Sequence, residues 1–455
     1  MNIIIIGAGQ IGLHLARSLS GAAHDIIVIE SNEKLAESSS SEIDGRVITG
    51  SGTSVEFLLE AGIAESDLFF ALTSSDATNL IACKLAKELG AKKTICRVSP
   101  LLLREEWMFD YRSNFSLNHI FSSERLSAIE ISKYIRNPEG IAIQEIARGR
   151  IEIQQIRIPE NSNACGKSLI ELNLPERVRV ASIQRNERSF VPTAEEKIEP
   201  NDQITLFGDP SRLSKTATSL RSNTEKEKGA NVVILGGGEY GLSLAQMIGP
   251  WNCQIRIFEK NQDHAETLAE ELAGKATVIH ADGASLNELL EEQVGIADFF
   301  IATTQSDEDN VMTCLQAKNL GTKNCIPLIH RTDYANAVNQ AKSQLGIKEV
   351  ISPREVVRRE MMRFITSDKY HIVKKISAGE IIETTIREKS KVADKTVGEI
   401  SLPPGSIFVA LIKGIHAKVP SASDMIEIGD TVFSIVSEEA KKSFLKLVAK
   451  YLNLK

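Results

Sequence analysis

Two glycine-rich turns set about half the chain apart constrain this sequence more than any other feature. Gly7-Ala8-Gly9-Gln10-Ile11-Gly12 follows the apolar run Ile3–Ile6, and Gly236-Gly237-Gly238-Glu239-Tyr240-Gly241 follows Val232–Leu235. Each lies between a strand-like and a helix-like pattern, and the next apolar run of each half closes on an acid, Glu30 or Glu259. That context turns a weak motif into a dinucleotide-type fingerprint. Gly7 permits the tight turn, Gly9 lets backbone approach a pyrophosphate, and Gly12 lets helix and strand pack closely. The helix start offers free N–H groups to phosphate. Glu30 is placed to accept hydrogen bonds from an adenosine ribose and to repel a 2′-phosphate. NAD(H) is thus favoured over its phosphorylated forms, and ATP, ADP or AMP would satisfy the same contacts.

The repeat extends well beyond the glycines. Thr73-Ser74-Ser75-Asp76 and Asn79 match Thr304-Gln305-Ser306-Asp307 and Asn310, Cys83 matches Cys314, and Ser123-Glu124 matches Arg354-Glu355. Similarity of this length is a duplication. Apolar runs at Ile3–Ile6, Ile26–Ile29, Val47–Ile48, Leu68–Leu72 and Thr94–Val98 predict buried parallel strands, with helical spacing between them as at Thr78–Leu89. A further strand and helix around 119–136 completes the first fold, and the second begins near Asn231. Each fold is followed by a small strand-rich region, 150–209 or 380–438. These share Leu174-Pro175 with Leu402-Pro403, and Glu199-Pro200-Asn201-Asp202 with Glu427-Ile428-Gly429-Asp430. The fold class is α/β: two Rossmann-like nucleotide-binding domains, each with a small α+β domain behind it. The expected boundaries are 1–137, 138–211, a polar linker at 212–229, 230–365, and 366–455 with a helical tail at Glu438–Tyr451.

Composition narrows the function. The 455 residues carry a net charge of −7, which gives no basic face for nucleic acid. No stretch approaches the roughly 18 apolar residues of a bilayer span. The opening MNIIII lacks the basic flank and cleavage site of a signal peptide and reads as a first strand. Six cysteines scattered without a CxxC pair read as reduced thiols rather than a zinc site.

Other candidate residues follow from position. Thr73 and Ser74, just past the fourth strand, can face the ligand, and Asp76 can cap the helix it opens. Arg97, with Val98 beside it, ends the fifth strand. It can meet a phosphate, a carboxylate on a partner, or a surface ion-pair partner. The second site looks poorer: Glu239 stands where the first copy has Gln10, and Asp307, Glu308 and Asp309 add negative charge. That site binds weakly, or requires a cation or an adenosine without closely placed phosphates, with Glu259 as ribose acceptor. His14, His24, His119 and His330 form no acid–base triad. His280 has Asp282 close by in sequence, without an equivalent pair in the first copy. No HExxH signature and no large substrate domain is present, so an NAD-dependent dehydrogenase is the weaker alternative. A switch without covalent chemistry, not an enzyme, is the expectation.

Ile4–Gly12, Glu30, Thr73-Ser74-Ser75-Asp76 with Asn79, and Arg97 resemble the N-terminal part of a KTN/RCK domain, the regulator of potassium conductance. Leu402-Pro403-Pro404-Gly405-Ser406-Ile407 and Ile426–Asp430 resemble its C-terminal subdomain, and the tandem order covers nearly the whole chain. The stretch Leu174–Arg177 departs from the Leu-Pro-Pro-Gly form. The resemblance implies a peripheral subunit at the cytoplasmic face of the cell membrane, assembled as a homo-oligomeric ring on a Trk-type potassium-translocating membrane protein. A different membrane transporter is the alternative partner. It further implies that NAD(H) or ATP/ADP contacts Gly7 through Ile11, Glu30, Thr73, Ser74 and Val98 in the first copy. In the second copy it implies contacts at Gly236 through Tyr240 and at Glu259, where Glu239 and Tyr240 depart from the commoner residues.

Overall fold

The computed structural model describes residues 1–20, 24–136, 142–146, 151–186, 188–221, 229–365, 370–376, 379–387, 390–413 and 416–448. The chain forms two compact units. One joins Met1–Ile135 with Lys228–Ile365, and the other joins Arg136–Glu227 with Thr366–Lys455.

In the first unit, strands β1 (Asn2–Ile6), β2 (Asp25–Glu30), β3 (Arg46–Thr49), β4 (Leu68–Ala71), β5 (Lys93–Arg97) and β6 (His119–Phe121) form a parallel sheet of order β3-β2-β1-β4-β5-β6. The order reverses between β1 and β4, which opens a crevice at their carboxyl ends. Ile3 to Ile6 are all buried because helices cover both faces of the sheet. The second half repeats the plan with Thr277–His280, Cys253–Glu259, Ala230–Leu235, Phe299–Ala302 and Asn324–Pro327 in spatial order. A single parallel bridge, Leu328 to Ile351, stands where the first copy has a sixth strand.

The two folds exchange helices. Val357, Met361 and Ile365 of the Pro353–Ile365 helix lie in one buried cluster with Ile3, Ile5, Leu15 and Val28 of the first fold. Reciprocally, Ala128, Ile131 and Ile135 of the Ser123–Arg136 helix join Val232, Ile234, Leu242 and Ile248 of the second. Each large apolar side chain buried this way contributes about 1.5–3 kcal/mol, so the exchange ties the halves firmly.

The second unit holds two five-stranded sheets with antiparallel neighbours. They share a core in which Ile153, Ala181 and Phe207 meet Ile381, Val409 and Phe433. The repeated acid-to-aspartate turn is a structural device here. Asp202 accepts from the Glu199 N–H at 2.8 Å and from Arg185, and Asp430 accepts from the Glu427 N–H at 2.9 Å. One expectation needs correction. Much of the polar stretch 212–229 is the Pro210–Arg221 helix, with Leu213, Ala217 and Leu220 buried against the first small sheet. The rest, 222–228, lies outside the described residues. The C-terminal helix runs Lys441–Val448, starting three residues later than expected because 438–440 form a turn, and 449–451 of the expected helical tail lie outside the described residues.

Candidate functional site

The first fingerprint forms a turn at the carboxyl end of β1. Gly7 has φ +91° and donates its N–H to Ile29 O at 2.9 Å, a conformation that a side chain would strain. A Cβ on Gly12 would lie 2.0 Å from the Gly7 carbonyl oxygen, so only glycine allows the Gln10–Leu19 helix to sit this close. Around Gly9 the space is open, with nothing within 4 Å of an added Cβ. Asn32, Ser75 and Ser99 cap the following helices with their side chains, but the Gln10–Leu19 helix has no side-chain cap. Its first N–H groups and the positive end of its dipole face the crevice unmet. The cradle therefore fits a phosphate group.

Glu30 braces this turn. Its Oε2 accepts from the Ala8 N–H at 2.7 Å and its Oε1 from the Asn32 N–H at 2.8 Å. The carboxylate is nearly buried and fixes the loop, and Oε2 keeps a second acceptor position for a ribose hydroxyl. Thr73 lines the crevice through a similar brace: its N–H and hydroxyl both donate to Asn79 Oδ1, at 3.0 and 2.7 Å. Asn79 in turn donates to the carbonyls of Thr73 and Arg97. Asp76 does not cap its helix. Ser75 does so, and the Asp76 carboxylate accepts from Ser99 N at 2.8 Å and Ser99 Oγ at 2.6 Å, pinning the loop after β5.

The cleft above the turn has a volume of about 560 Å³, within the range of small-molecule sites. Of the expected first-copy residues, Gly7, Gly9, Gln10, Ile11, Glu30, Thr73, Ser74 and Arg97 line it. Ala8, Gly12 and Val98 do not: Ala8 and Gly12 are buried in the turn, and the Val98 N–H donates to Phe121 O at 2.8 Å in the core. Arg97 both lines the cleft and lies 3.5 Å from Glu124. Sequence reasoning missed the rest of the wall. Tyr240, His330, Pro353 and Arg354 of the second half close the cleft, with Ser51, Thr53 and Thr78 from the first. Tyr240, assigned by sequence to the second site, thus faces the first. It packs edge-on against the His330 ring at 5.7 Å, and burial pushes its pKa up to about 12. His330 belongs to this wall as well: its Nδ1 lies 3.1 Å from Asp307.

The second fingerprint repeats the backbone and differs in its surroundings. Gly236 has φ +98°, and Glu259 accepts from the Gly237 and Asn261 N–H groups at 3.0 and 2.9 Å. Gly238 is as open as Gly9, and Gly241 as crowded as Gly12. However, the Gly237 carbonyl is 3.2 Å from His264 Nε2, and a Cβ there would meet Leu268 at 2.5 Å. Glu239 stands at the helix start, and its pKa is raised, mainly by desolvation, with Arg104 opposing. The expected negative charge at Asp307 is not free. Burial would raise its pKa, but donation from the backbone N–H groups of His330 and Arg331, at 2.7 and 2.9 Å, and from the His330 ring lowers it overall. Glu308 pairs with Arg331. Nor do His280 and Asp282 meet: His280 bonds the Lys260 carbonyl, and Asp282 pairs with Lys260. A cavity of about 730 Å³ lies at the amino ends of the second sheet's strands, lined by Asn231 and Cys253 among others, away from both fingerprints. Among the described residues no group of three or more His, Cys, Asp or Glu is placed to hold a metal ion, and no helix is long and apolar enough to cross a membrane.

The TrkA-N domain model matches residues 3–100 and again 232–353, and the TrkA-C domain model matches 153–221. Together these cover well over half of the chain. The chain belongs to the TrkA-N/TrkA-C family. It is 29% identical over 458 residues to "Trk system potassium uptake protein TrkA homolog 1" of Methanosarcina mazei, covering 98% of this chain and 100% of that one. It is 28% identical over 452 residues to "Trk system potassium uptake protein TrkA" of Haemophilus influenzae, covering 96% of each. Among solved structures it resembles the "GsuK channel bound to NAD", with TM-score 0.59 and 18% identity over 99% of this chain and 79% of that one. It also resembles the "GsuK RCK domain", with TM-score 0.58 and 17% identity over 99% and 95%. These likenesses give the tandem RCK fold: Rossmann-like sheets, each with a smaller α+β partner.

Proposed function

We propose that this chain is a cytoplasmic nucleotide-sensing subunit, peripheral to the membrane, that regulates a Trk-type potassium-uptake protein without covalent chemistry. The observation that carries the reading is the first cleft: an uncapped helix start and a braced carboxylate on one half, closed by side chains of the other. A nucleotide seated there touches both folds. If the ring has two arrangements of those folds, unequal affinity for them converts occupancy into work on the membrane partner. A coupling of about 1–3 kcal/mol shifts activity clearly. NAD(H) and ATP/ADP are the candidate ligands. Resembling solved structures include GsuK bound to NAD and GsuK bound to ADP, and Glu30 supplies the ribose acceptor for either.

The second crevice is the weaker site in this reading, because Glu239 stands at the helix start and His264 already occupies the loop carbonyl. The proposed domain boundaries are those read from the sequence, with the first small domain extended through the helix ending at Arg221. Self-association into a ring is supported by a repeated apolar surface. Val55, Leu59 and Ile81 are exposed on the first fold, and Leu286, Leu290 and Met312, each 231 positions later (55 to 286, 59 to 290, 81 to 312), are exposed on the second. Potassium passes through the membrane partner.

The test is potassium flux into vesicles carrying a Trk-type transporter, with and without this chain, in the presence of NADH or ADP. Flux that depends on both chain and nucleotide, and that Glu30→Arg uncouples, supports the reading. Flux indifferent to the chain refutes it.

A further inference from the structure

Arg354 is the residue that the nucleotide reading leaves unexplained. It is carried into the first cleft by the first turn of the exchanged Pro353–Ile365 helix. Its Nε is buried and has no hydrogen-bond partner among the described residues. Burial lowers its pKa, Arg17 adds like charge, and Asp307 and Asp333 pull the other way. Asp307 is already engaged by His330 and Arg331. A guanidinium held partly out of water with an unmet donor is costly unless something occupies that donor. The uncapped, electropositive start of the Gln10–Leu19 helix shares the cavity, as does Arg97, which lies 3.5 Å from Glu124. Three positive features facing one cavity describe a receptor for an anion.

The duplication shows that this charge is a local choice. The helix register places Glu124 of the first half at the position of Arg354, 230 residues earlier (354 to 124), since Leu126 N donates to Ser122 O as Val356 N donates to Ser352 O, and the position equivalent to His330 is Ser99, 231 residues earlier (330 to 99). The backbone role at the second pair is unchanged, since Ser99 N donates to Asp76 as His330 N donates to Asp307. Only the side chains reaching toward the facing fold differ. The first cleft receives an arginine and a histidine from its neighbour. The corresponding residues of the first half are a glutamate, Glu124, and a serine, Ser99, and the second fingerprint helix begins with Glu239.

We infer that Arg354 binds the phosphate oxygens of the nucleotide in the first cleft, as a specificity-determining residue contributed across the interface between the two folds. This rests on the nucleotide reading above. Arg354 and the fingerprint helix grip the phosphates from opposite folds, while Glu30 holds the ribose side. An unphosphorylated nucleoside reaches Glu30 and gains nothing from Arg354.

The experiment is calorimetric titration of the full chain with ADP, NADH and adenosine, using the unaltered protein and Arg354→Gln. The expected result is that Arg354→Gln weakens the tighter of ADP and NADH by roughly 10- to 100-fold, with adenosine changed by less than about threefold. Unchanged ADP and NADH affinity, or an equal loss for adenosine, overturns the inference and leaves the nucleotide reading standing. Failure of the unaltered chain to bind either nucleotide overturns both. Thermal melting checks that the variant is folded. Should it melt prematurely, Arg354→Lys carries the same comparison, since it keeps the charge but not the fork. A several-fold loss confined to the phosphorylated ligands supports the inference, and no loss overturns it.

Discussion

Gly9 and Gly12 sit three residues apart in one turn and face opposite demands. Space above Gly9 is open, and its φ of −65° suits any residue, whereas Gly12 meets the Gly7 carbonyl. Gly9→Ala should therefore leave the melting temperature nearly unchanged while reducing NADH affinity, because the methyl occupies the phosphate's approach. Gly12→Ala should destabilise the fold by about 1–3 kcal/mol or more, as overpacking does. Denaturation and calorimetry on both variants check this, and equal stability loss would contradict the assignment. His119 carries a pH prediction. Burial, opposed by Glu360 and assisted by Arg112 and Arg363, lowers its pKa from 6.5 to about 4. The unfolded chain then binds the proton first, so stability falls as pH drops from 6.5 toward 4. Glu355 adds a second loss at lower pH. Burial alone would raise its pKa, but hydrogen bonds from Arg358 and then His14 outweigh it and hold it at about 2. Its stabilisation is present above about 4.5 and fades toward 2. His119→Gln should flatten the melting-temperature profile between pH 6.5 and 4, and an unchanged slope would refute the buried neutral imidazole.

The exchanged helices and the helix read as a linker mark where elements were and were not legible. The strands, the glycine turns and the repeat register follow from local pattern, because buried parallel strands and tight turns leave composition signatures. The cap at Ser75 rather than Asp76 was not legible: both are capping types, and the choice depends on which backbone is extended. The Pro210–Arg221 helix was hidden by its Ser, Thr and Lys content, although Leu213, Ala217 and Leu220 sit at helical spacing. The exchange itself has no sequence signal. Ser123–Arg136 and Pro353–Ile365 carry similar apolar faces, and nothing in the pattern says which sheet each covers. Tyr240, His330 and Arg354 therefore escaped assignment to the first cleft. Truncating Met361 to Ala should cost about 2–5 kcal/mol, and so should Leu213→Ala in the second unit. Tolerance of Leu213→Ala in a denaturant titration would restore the linker reading.

At the scale of the whole molecule, duplication produced two related folds with unequal clefts. The unequal residues lie on the helix and loops that cross from one fold to the other. In the proposed function, a nucleotide in the first cleft would meet Glu30 and Gly9 from one fold and Tyr240 and Arg354 from the other, so its binding energy would be shared between the two folds. The most direct measurement is hydrogen exchange on the full chain with and without saturating ADP or NADH. Slowed exchange is expected at Gly7–Leu13 and, in the same sample, at Tyr240 and along 352–358 of the second fold. Protection confined to the first fold, or absent from both, would contradict it.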